Sequence, residues 1–397
     1  MLQSTELLKL IISQNPYGTQ ASKDLDSNNT LINRSALRFK ADMPPIVVWN
    51  VNNQCNMTCP HCYSSAKVHS GHKEITIQEA CQIIDALKVY GISTLILSGG
   101  EPLLREDLFD IIQYAKDCEI TCHLSTNGSL ITAEKAKKLK VAGIKYVGIS
   151  VDGFPGFNDA YRGLKDAFDL AFLGTLNSKD AGLHTGIRMT VTTGNHGHVF
   201  PLLGRVQDLQ IPRFYLSHLV YGGRGKSYSK NDLERNQTRQ LMQSLFDKSI
   251  DFIENGKAIS IVSGGNDGDG IFLYLYVKER FGDDQAEQLL KLLEKRGGNS
   301  AGEKMINIDH KGNVHPDQFW QTSDCGNILG QSLDEIFQSQ LMKDLRARVH
   351  HLEGRCGRCC YTYICRGSHR ERALVVYNNL WAEDPACYLT DQEIGIS

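Results

Sequence analysis

The 397-residue chain has no excess of positive charge: 43 Lys and Arg stand against 45 Asp and Glu, a formal net charge of −2. Without a basic surplus or a local basic tract, a nucleic-acid grip is excluded, because such a grip neutralises many phosphates. No run of about 18 consecutive apolar residues occurs, so no membrane-spanning helix is expected. The opening residues, MLQSTELLKLIIS, lack a basic leader, a long apolar stretch and a small-residue cleavage site. They read instead as a short amphipathic helix. Internal repeats and low-complexity tracts are also missing. The expectation from these absences is a soluble, cytoplasmic protein with neither nucleic-acid nor membrane partners. Its 41% apolar composition supplies a sizeable core, enough for two domains or for one barrel with additions.

Cysteine, by contrast, is not scarce. Twelve are present, and in a reducing compartment they are free thiols available to metals. They are unevenly placed. Cys55, Cys59 and Cys62 form one group, and Cys356, Cys359, Cys360, Cys365 and Cys387 form another near the C-terminus. Cys81 falls on the apolar face of a helix and Cys122 alternates with Ile120 and Leu124, so both read as core packing; Cys118 and Cys325 stand alone.

From Pro45 the chain becomes regular. IVVWNV, TLILS, ITCHLST, YVGISV, GIRMTV and RFYLSHL read as six strands with helical stretches between them, the first helix running from Thr76 to about Tyr90 with Ile77, Cys81, Ile84 and Leu87 on one face. Six alternations predict an α/β fold with a parallel sheet, too few for a closed eight-stranded barrel. Its chemistry belongs on the loops after the strands. Four regions result: an N-terminal arm (1–44), the α/β domain (45–225), a mostly helical connection (226–300), and a C-terminal region (301–397) that opens with a hairpin turning at Lys311–Gly312.

The loop QCNMTCPHCYS follows the first strand directly. Three thiolates so spaced hold three corners of a cubane iron–sulfur cluster and leave one iron open. Zinc is the rival, but structural zinc takes four ligands, and the local candidate, His61, lies awkwardly between Cys59 and Cys62. In the C-terminal group, Cys356, Cys359, Cys365 and Cys387 would close a second site completely. Four thiolates also suit zinc, and Cys360 is an alternative to Cys359.

These motifs resemble the radical S-adenosylmethionine (SAM) superfamily, whose signature is a Cys-x3-Cys-x2-Cys loop after the first strand of a partial (β/α)6 TIM-type barrel. The resemblance implies that the open iron chelates SAM and that its reductive cleavage yields a 5′-deoxyadenosyl radical. The C-terminal cysteines resemble a SPASM/twitch-type extension, which implies a second, auxiliary [4Fe–4S] cluster. By the same resemblance, the loop SGGEP brings Gly99, Gly100 and Glu101 to the SAM amino group. STNG and SVDG bring Ser125, Asn127, Ser150 and Asp152 to its ribose and methionine, and Arg188 meets its carboxylate. Read without the resemblance, the same residues could be a simple turn, helix caps and a snorkelling arginine.

Across nearly the whole chain, VVWNVNNQCNMTCPHCYS, LILSGGEPLLR, FYLSHLVYGGRG, GGNDGDGI, NVHPDQFW and WAEDPACYLTDQEIG look like the tetrapyrrole-modifying radical SAM enzymes. Within them, HLVYGGRG and GGNDGDG sit nearest to the heme d1 biosynthesis branch. The implied substrate is 12,18-didecarboxysiroheme, which loses two propionate side chains and gains oxo groups. An electron donor such as ferredoxin or flavodoxin is implied as partner. Didecarboxysiroheme deacetylation, iron-coproporphyrin decarboxylation and peptide maturation are the alternatives. A flat, iron-bearing polyanion needs cations, apolar surface and an imidazole. His218, Tyr221 and Arg224, with Lys226 beside them, are therefore the expected catalytic residues. Glycines 222, 223 and 225 would admit the ring; a solvated loop is the plainer reading. His315 is a further candidate ligand.

Overall fold

The structure, a computed structural model, describes residues 1–13, 44–69 and 74–396. Eight strands run parallel in one sheet: β1 (Ile46–Asn50), β2 (Thr94–Ser98), β3 (Thr121–Thr126), β4 (Tyr146–Ser150), β5 (His184–Val191), β6 (Arg213–His218), β7 (Ser260–Gly264) and β8 (Met305–Ile308). Their spatial order is β7-β6-β5-β4-β3-β2-β1-β8, with a short antiparallel β9 (Val314–His315) beside β8. Strands β1 to β6 are the six read from the sequence. All five residues of β1 are buried, as expected for a parallel strand covered on both faces.

The helix after the cysteine loop spans Ile77–Val89. Thr76 caps it: its hydroxyl accepts the Glu79 N–H, and the Glu79 carboxylate accepts the Thr76 N–H. The buried stripe is Ala80, Ile83, Ile84 and Leu87. Cys81, expected on that stripe, lies one position off it and is only partly covered. Cys122 is buried in β3 as expected.

One strand, β7, and one pairing, β8 with β1, were not expected. The region after Gly225 contains the helices Arg235–Glu254, Gly268–Phe281 and Asp283–Arg296, but also β7, which pairs with β6 through Phe214 and Ile261. The hairpin forms at the expected turn, yet β8 also pairs with β1, Val47 against Ile306. The C-terminal region is therefore joined to the barrel sheet by a strand. Of the arm, residues 14–43 lie outside the described residues. Its first segment is docked, not trailing: Leu2 exchanges backbone hydrogen bonds of 2.6 and 2.8 Å with Ser263, covering the edge of β7. The amphipathic helix Ser4–Ser13 buries Leu7, Leu8, Leu10 and Ile11 beside it. No helix among the described residues is long and apolar enough to cross a membrane.

A buried arginine fastens the C-terminal region to the barrel. Arg372, in the helix Arg370–Tyr377, donates to both Asp384 oxygens at 2.8 and 2.6 Å. It also donates to the carbonyls of Leu219 and Gly265, at 3.0 and 2.6 Å, just past the ends of β6 and β7. Both members of the pair are about 99% buried or more. Such a pair is stable only because its remaining protons are used.

His315, a candidate ligand from sequence, instead packs into the hairpin. Its Nδ1 lies 2.7 Å from the Ser323 carbonyl and its Nε2 3.5 Å from Asp309. Burial acts to raise the Asp309 carboxyl, but His315 and the Lys311 and Asn313 N–H groups bring it down to about 2. Burial acts to lower the His315 imidazole, but Asp309 and Ser323 outweigh it and raise it above its ordinary value. The imidazole's contribution is thus complete below the unfolded histidine range and fades as pH rises through its raised value; that of Asp309 is lost only on descent toward about 2. Amide exchange at β9, corrected for intrinsic rates, should therefore quicken as pH rises above the ordinary histidine range, where the raised imidazole loses its proton. His315→Gln should remove that dependence.

Candidate active site

Because the strands are parallel, the loops after their C-terminal ends meet at one end of the sheet. They enclose a pocket of about 1010 Å³ open to solvent. Its wall carries Cys55, Cys59 and Cys62 from the loop after β1, and Gly99 and Gly100 from the loop after β2. Ser125 and Asn127 come from the end of β3, Ser150 and Asp152 from the end of β4, Arg188 from β5, and His218 from β6. Of the expected site residues in the barrel, the structure leaves Glu101, Tyr221 and Arg224 off this wall.

The cysteine loop is held from three sides. Gly100 packs on it so tightly that a Cβ would sit 2.0 Å from the Gln54 carbonyl oxygen. The Gly100 N–H donates to Asn52, and the Glu101 N–H to the Gln54 carbonyl at 2.7 Å. The glycine pair thus admits the protein's own loop, a closer approach than any side chain permits. Asn127 donates to the Asn56 side chain at 2.8 Å from the β3 side. From the β6 side, Arg224 donates Nε to the Cys59 carbonyl at 2.8 Å and Nη1 to the Ala66 carbonyl at 2.6 Å. Gly223, at φ +54°, would place a Cβ 2.2 Å from the Tyr63 carbonyl oxygen. Arg224 and its neighbouring glycine therefore face the cysteine loop. Tyr221 is 6% exposed and spends its hydroxyl on Asp232 at 2.8 Å.

Glu101 is likewise a strut. Its buried carboxylate accepts from the Thr126 hydroxyl at 2.7 Å and from the N–H groups of Asn127 and Leu103, at 2.8 and 3.1 Å. Burial raises its pKa, against those hydrogen bonds. Asp152 reaches the pocket wall with its oxygens engaged: Arg162 donates to one at 2.5 Å and the Thr190 N–H to the other at 2.9 Å. His61 turns Nε2 toward the same carboxylate, 3.5 Å away, and stacks on Tyr161. Arg188 donates to Ser125 Oγ at 2.7 Å and lies over the Tyr215 ring. Among the described residues it has no carboxylate partner, so the anion it was expected to need would come from a ligand.

Burial pushes the Cys55 thiol up to about 12 and the Cys59 thiol up to about 11. Free of metal they are protonated, and a metal must displace those protons.

At the C-terminus, Cys356, Cys359, Cys365 and Cys387 line one cavity of about 440 Å³. Cys360 is exposed, outside that cavity, with its sulfur against Gly395. Thr362 donates to the carbonyls of Cys356 and Cys359, at 2.7 and 2.6 Å, closing the turn between them. The thiols surround a volume: among the described residues no three ligand-type side chains meet at a single-ion position. Cys118 and Cys325 line neither cavity.

Sequence reasoning passed over Arg162, Tyr63 and Asp269. Arg162 ends a helix that carries no motif, and only its pairing with Asp152 reveals it. Tyr63 directly follows Cys62 and shares hydrogen bonds with Asn50 and Ser98. Asp269 stood in view within GGNDGDG but without a partner to name.

Comparison with known proteins places these features. A profile of the Radical SAM superfamily matches residues 49–199, and one of the SPASM iron–sulfur cluster-binding domain matches residues 300–360. The chain is 38% identical over 354 residues to "Pre-heme d1 synthase" of Dinoroseobacter shibae, covering 88% of each. It is 37% identical over 366 residues to "Fe-coproporphyrin III synthase" of Methanosarcina barkeri, covering 90% of this chain and 91% of that one. Among solved structures, anSMEcpe with bound AdoMet superposes with a TM-score of 0.67 at 18% identity, covering 86% of this chain and 94% of that one, a likeness of fold. By this kinship over 88–90% of its length the chain belongs to the radical SAM superfamily, to the SPASM-bearing enzymes that include pre-heme d1 synthase and Fe-coproporphyrin III synthase.

Proposed function

We propose that this enzyme acts on 12,18-didecarboxysiroheme in heme d1 formation, removing two propionate side chains and leaving oxo groups in their place. One observation carries the reading: 38% identity to a pre-heme d1 synthase, sustained over 88% of both chains. The 37% identity to an Fe-coproporphyrin III synthase favours a second reading, deacetylation of didecarboxysiroheme, in which acetate side chains are lost from the same class of ring.

The residues present fit the cofactors of the superfamily. Three soft thiols face one pocket with no fourth cysteine on its wall, which suits a cubane with one open iron. The four C-terminal thiols around a separate cavity suit a closed cluster. Cys55, Cys59 and Cys62 would hold the first, and Cys356, Cys359, Cys365 and Cys387 the second. When bound, the first cluster and SAM supply a carbon radical able to take hydrogen from an unreactive C–H bond.

What the chain contributes is position and charge. Arg188 offers an unpaired guanidinium to the SAM carboxylate, with Ser125 fixing its orientation. Gly99, Asn127 and Ser150 stand along the same wall. Asp152, neutralised by Arg162, offers a polar edge without a free negative charge. Arg224 keeps the Cys59 carbonyl, and so the whole thiol loop, in place. Phe319, edge-on to Tyr63, presents an apolar surface to a flat ligand. An external one-electron donor such as ferredoxin or flavodoxin completes the system.

Anaerobic incubation with SAM, dithionite and didecarboxysiroheme, read by mass spectrometry, tests the reading. Loss of propionate supports it, loss of acetate side chains supports the second, and an unchanged ring with active peptide substrates defeats both. Iron analysis tests the ligand sets: Cys359→Ala should lose about four of roughly eight irons per chain, whereas Cys360→Ala should keep all of them. Arg224→Ala should keep the auxiliary iron but lower SAM cleavage by at least tenfold, visible as reduced 5′-deoxyadenosine.

A further inference from the structure

We propose that His218 recognises a carboxylate side chain of the substrate through Nδ1, and that Asp269 is the positioning residue that holds the imidazole for this task. The proposal rests on the tetrapyrrole reading and adds to it a specificity-determining pair.

His218 ends β6 and is on the wall of the pocket that carries the three thiols. Its Nε2 lies 3.1 Å from Asp269 Oδ2. Asp269 sits in the first turn of the helix Gly268–Phe281 and has no exposed surface. Its other contacts are all donors: the Ser263 hydroxyl at 2.6 Å on Oδ2 and the Tyr388 hydroxyl at 2.7 Å on Oδ1. Burial works against the charge of this carboxyl, yet His218 and the donors hold its pKa below the ordinary range. A carboxylate so surrounded only accepts hydrogen bonds, so Nε2 carries a proton and the ring cannot turn over.

That leaves Nδ1, for which the described residues provide no hydrogen-bond partner. The Asp269 carboxylate, 3.1 Å from Nε2, supplies the counter-charge for an imidazole that meets an anion with Nδ1–H as donor. An anionic acceptor makes the stronger bond, and the substrate class proposed above carries several carboxylates. The arrangement also accounts for the motif GGNDGDG. Its second aspartate, Asp269, supplies the counter-charge, and its first residues close the β7 end against His218, where a Cβ on Gly265 would lie 2.7 Å from the His218 carbonyl oxygen.

The test is anaerobic spectral titration of the reconstituted holoenzyme with ferric coproporphyrin III and with its methyl ester, in wild type, Asp269→Asn and His218→Gln. Iron content and cluster EPR serve as checks of folding. Wild type should bind the free acid at least tenfold more tightly than the ester. Both variants should lose most of that preference while binding the ester as wild type does. If either variant that retains its iron keeps the full preference for the free acid, the carboxylate role is overturned and the tetrapyrrole reading stands. If wild type binds neither compound, nor didecarboxysiroheme, the tetrapyrrole reading itself fails and takes the proposal with it.

Discussion

Arg372 is the constraint on which the arrangement of the two cysteine sites depends. Its guanidinium reaches the end of β6, the end of β7 and the carboxylate of Asp384, three residues before Cys387. The pair is fully withdrawn from water, so each charge is tolerable only through the other and through the backbone carbonyls they share. Losing one partner from such a pair typically costs about 3–5 kcal/mol, because the survivor is left charged and dry. No apolar substitute would aim at two strand ends and a loop at once. The directionality of five guanidinium donors is what joins the barrel's rim to its C-terminal region.

The same economy of directed bonds shapes the thiol loop. Its cysteines are on the pocket wall because other groups occupy the loop's remaining sides: Gly100 and Glu101 from β2, Asn127 from β3, Arg224 from the stretch after β6. The loop's polar backbone is thereby satisfied within the protein, as a buried loop requires. Residues that sequence motifs assign to a ligand are partly consumed in this way. Glu101 gives its whole carboxylate to neighbouring loops, and Arg224 gives its guanidinium to two carbonyls.

Much of the fold was legible because parallel strands buried on both faces are short apolar runs, and β1 to β6 alternate with helices in an unbroken rhythm. β7 was hidden because SIVSG sits among glycines and helices, outside the strand-and-helix rhythm that marks β1 to β6. The partnership of β8 with β1 joins residues more than 250 positions apart, and local pattern carries no trace of it. At the site, cysteine spacing was informative because chain geometry limits which thiols can share a cluster. Cys359 and Cys360 are adjacent, so spacing left them equivalent; the turn closed by Thr362 separates them. Polar type alone could not say whether Glu101, Tyr221 and Arg224 point to a ligand or to the protein. That depends on partners distant in the chain, Asn127, Asp232 and Cys59 among them.

The pairing of β8 with β1 bears on how the two sulfur-lined sites are held relative to each other. A module tethered by a linker would wander, and transfer between two redox centres falls off steeply with separation. Here the strand that opens the C-terminal region is hydrogen-bonded in register to the strand that delivers the thiol loop. The separation of the two sulfur-lined sites is therefore constrained by a strand pairing within the sheet as well as by Arg372.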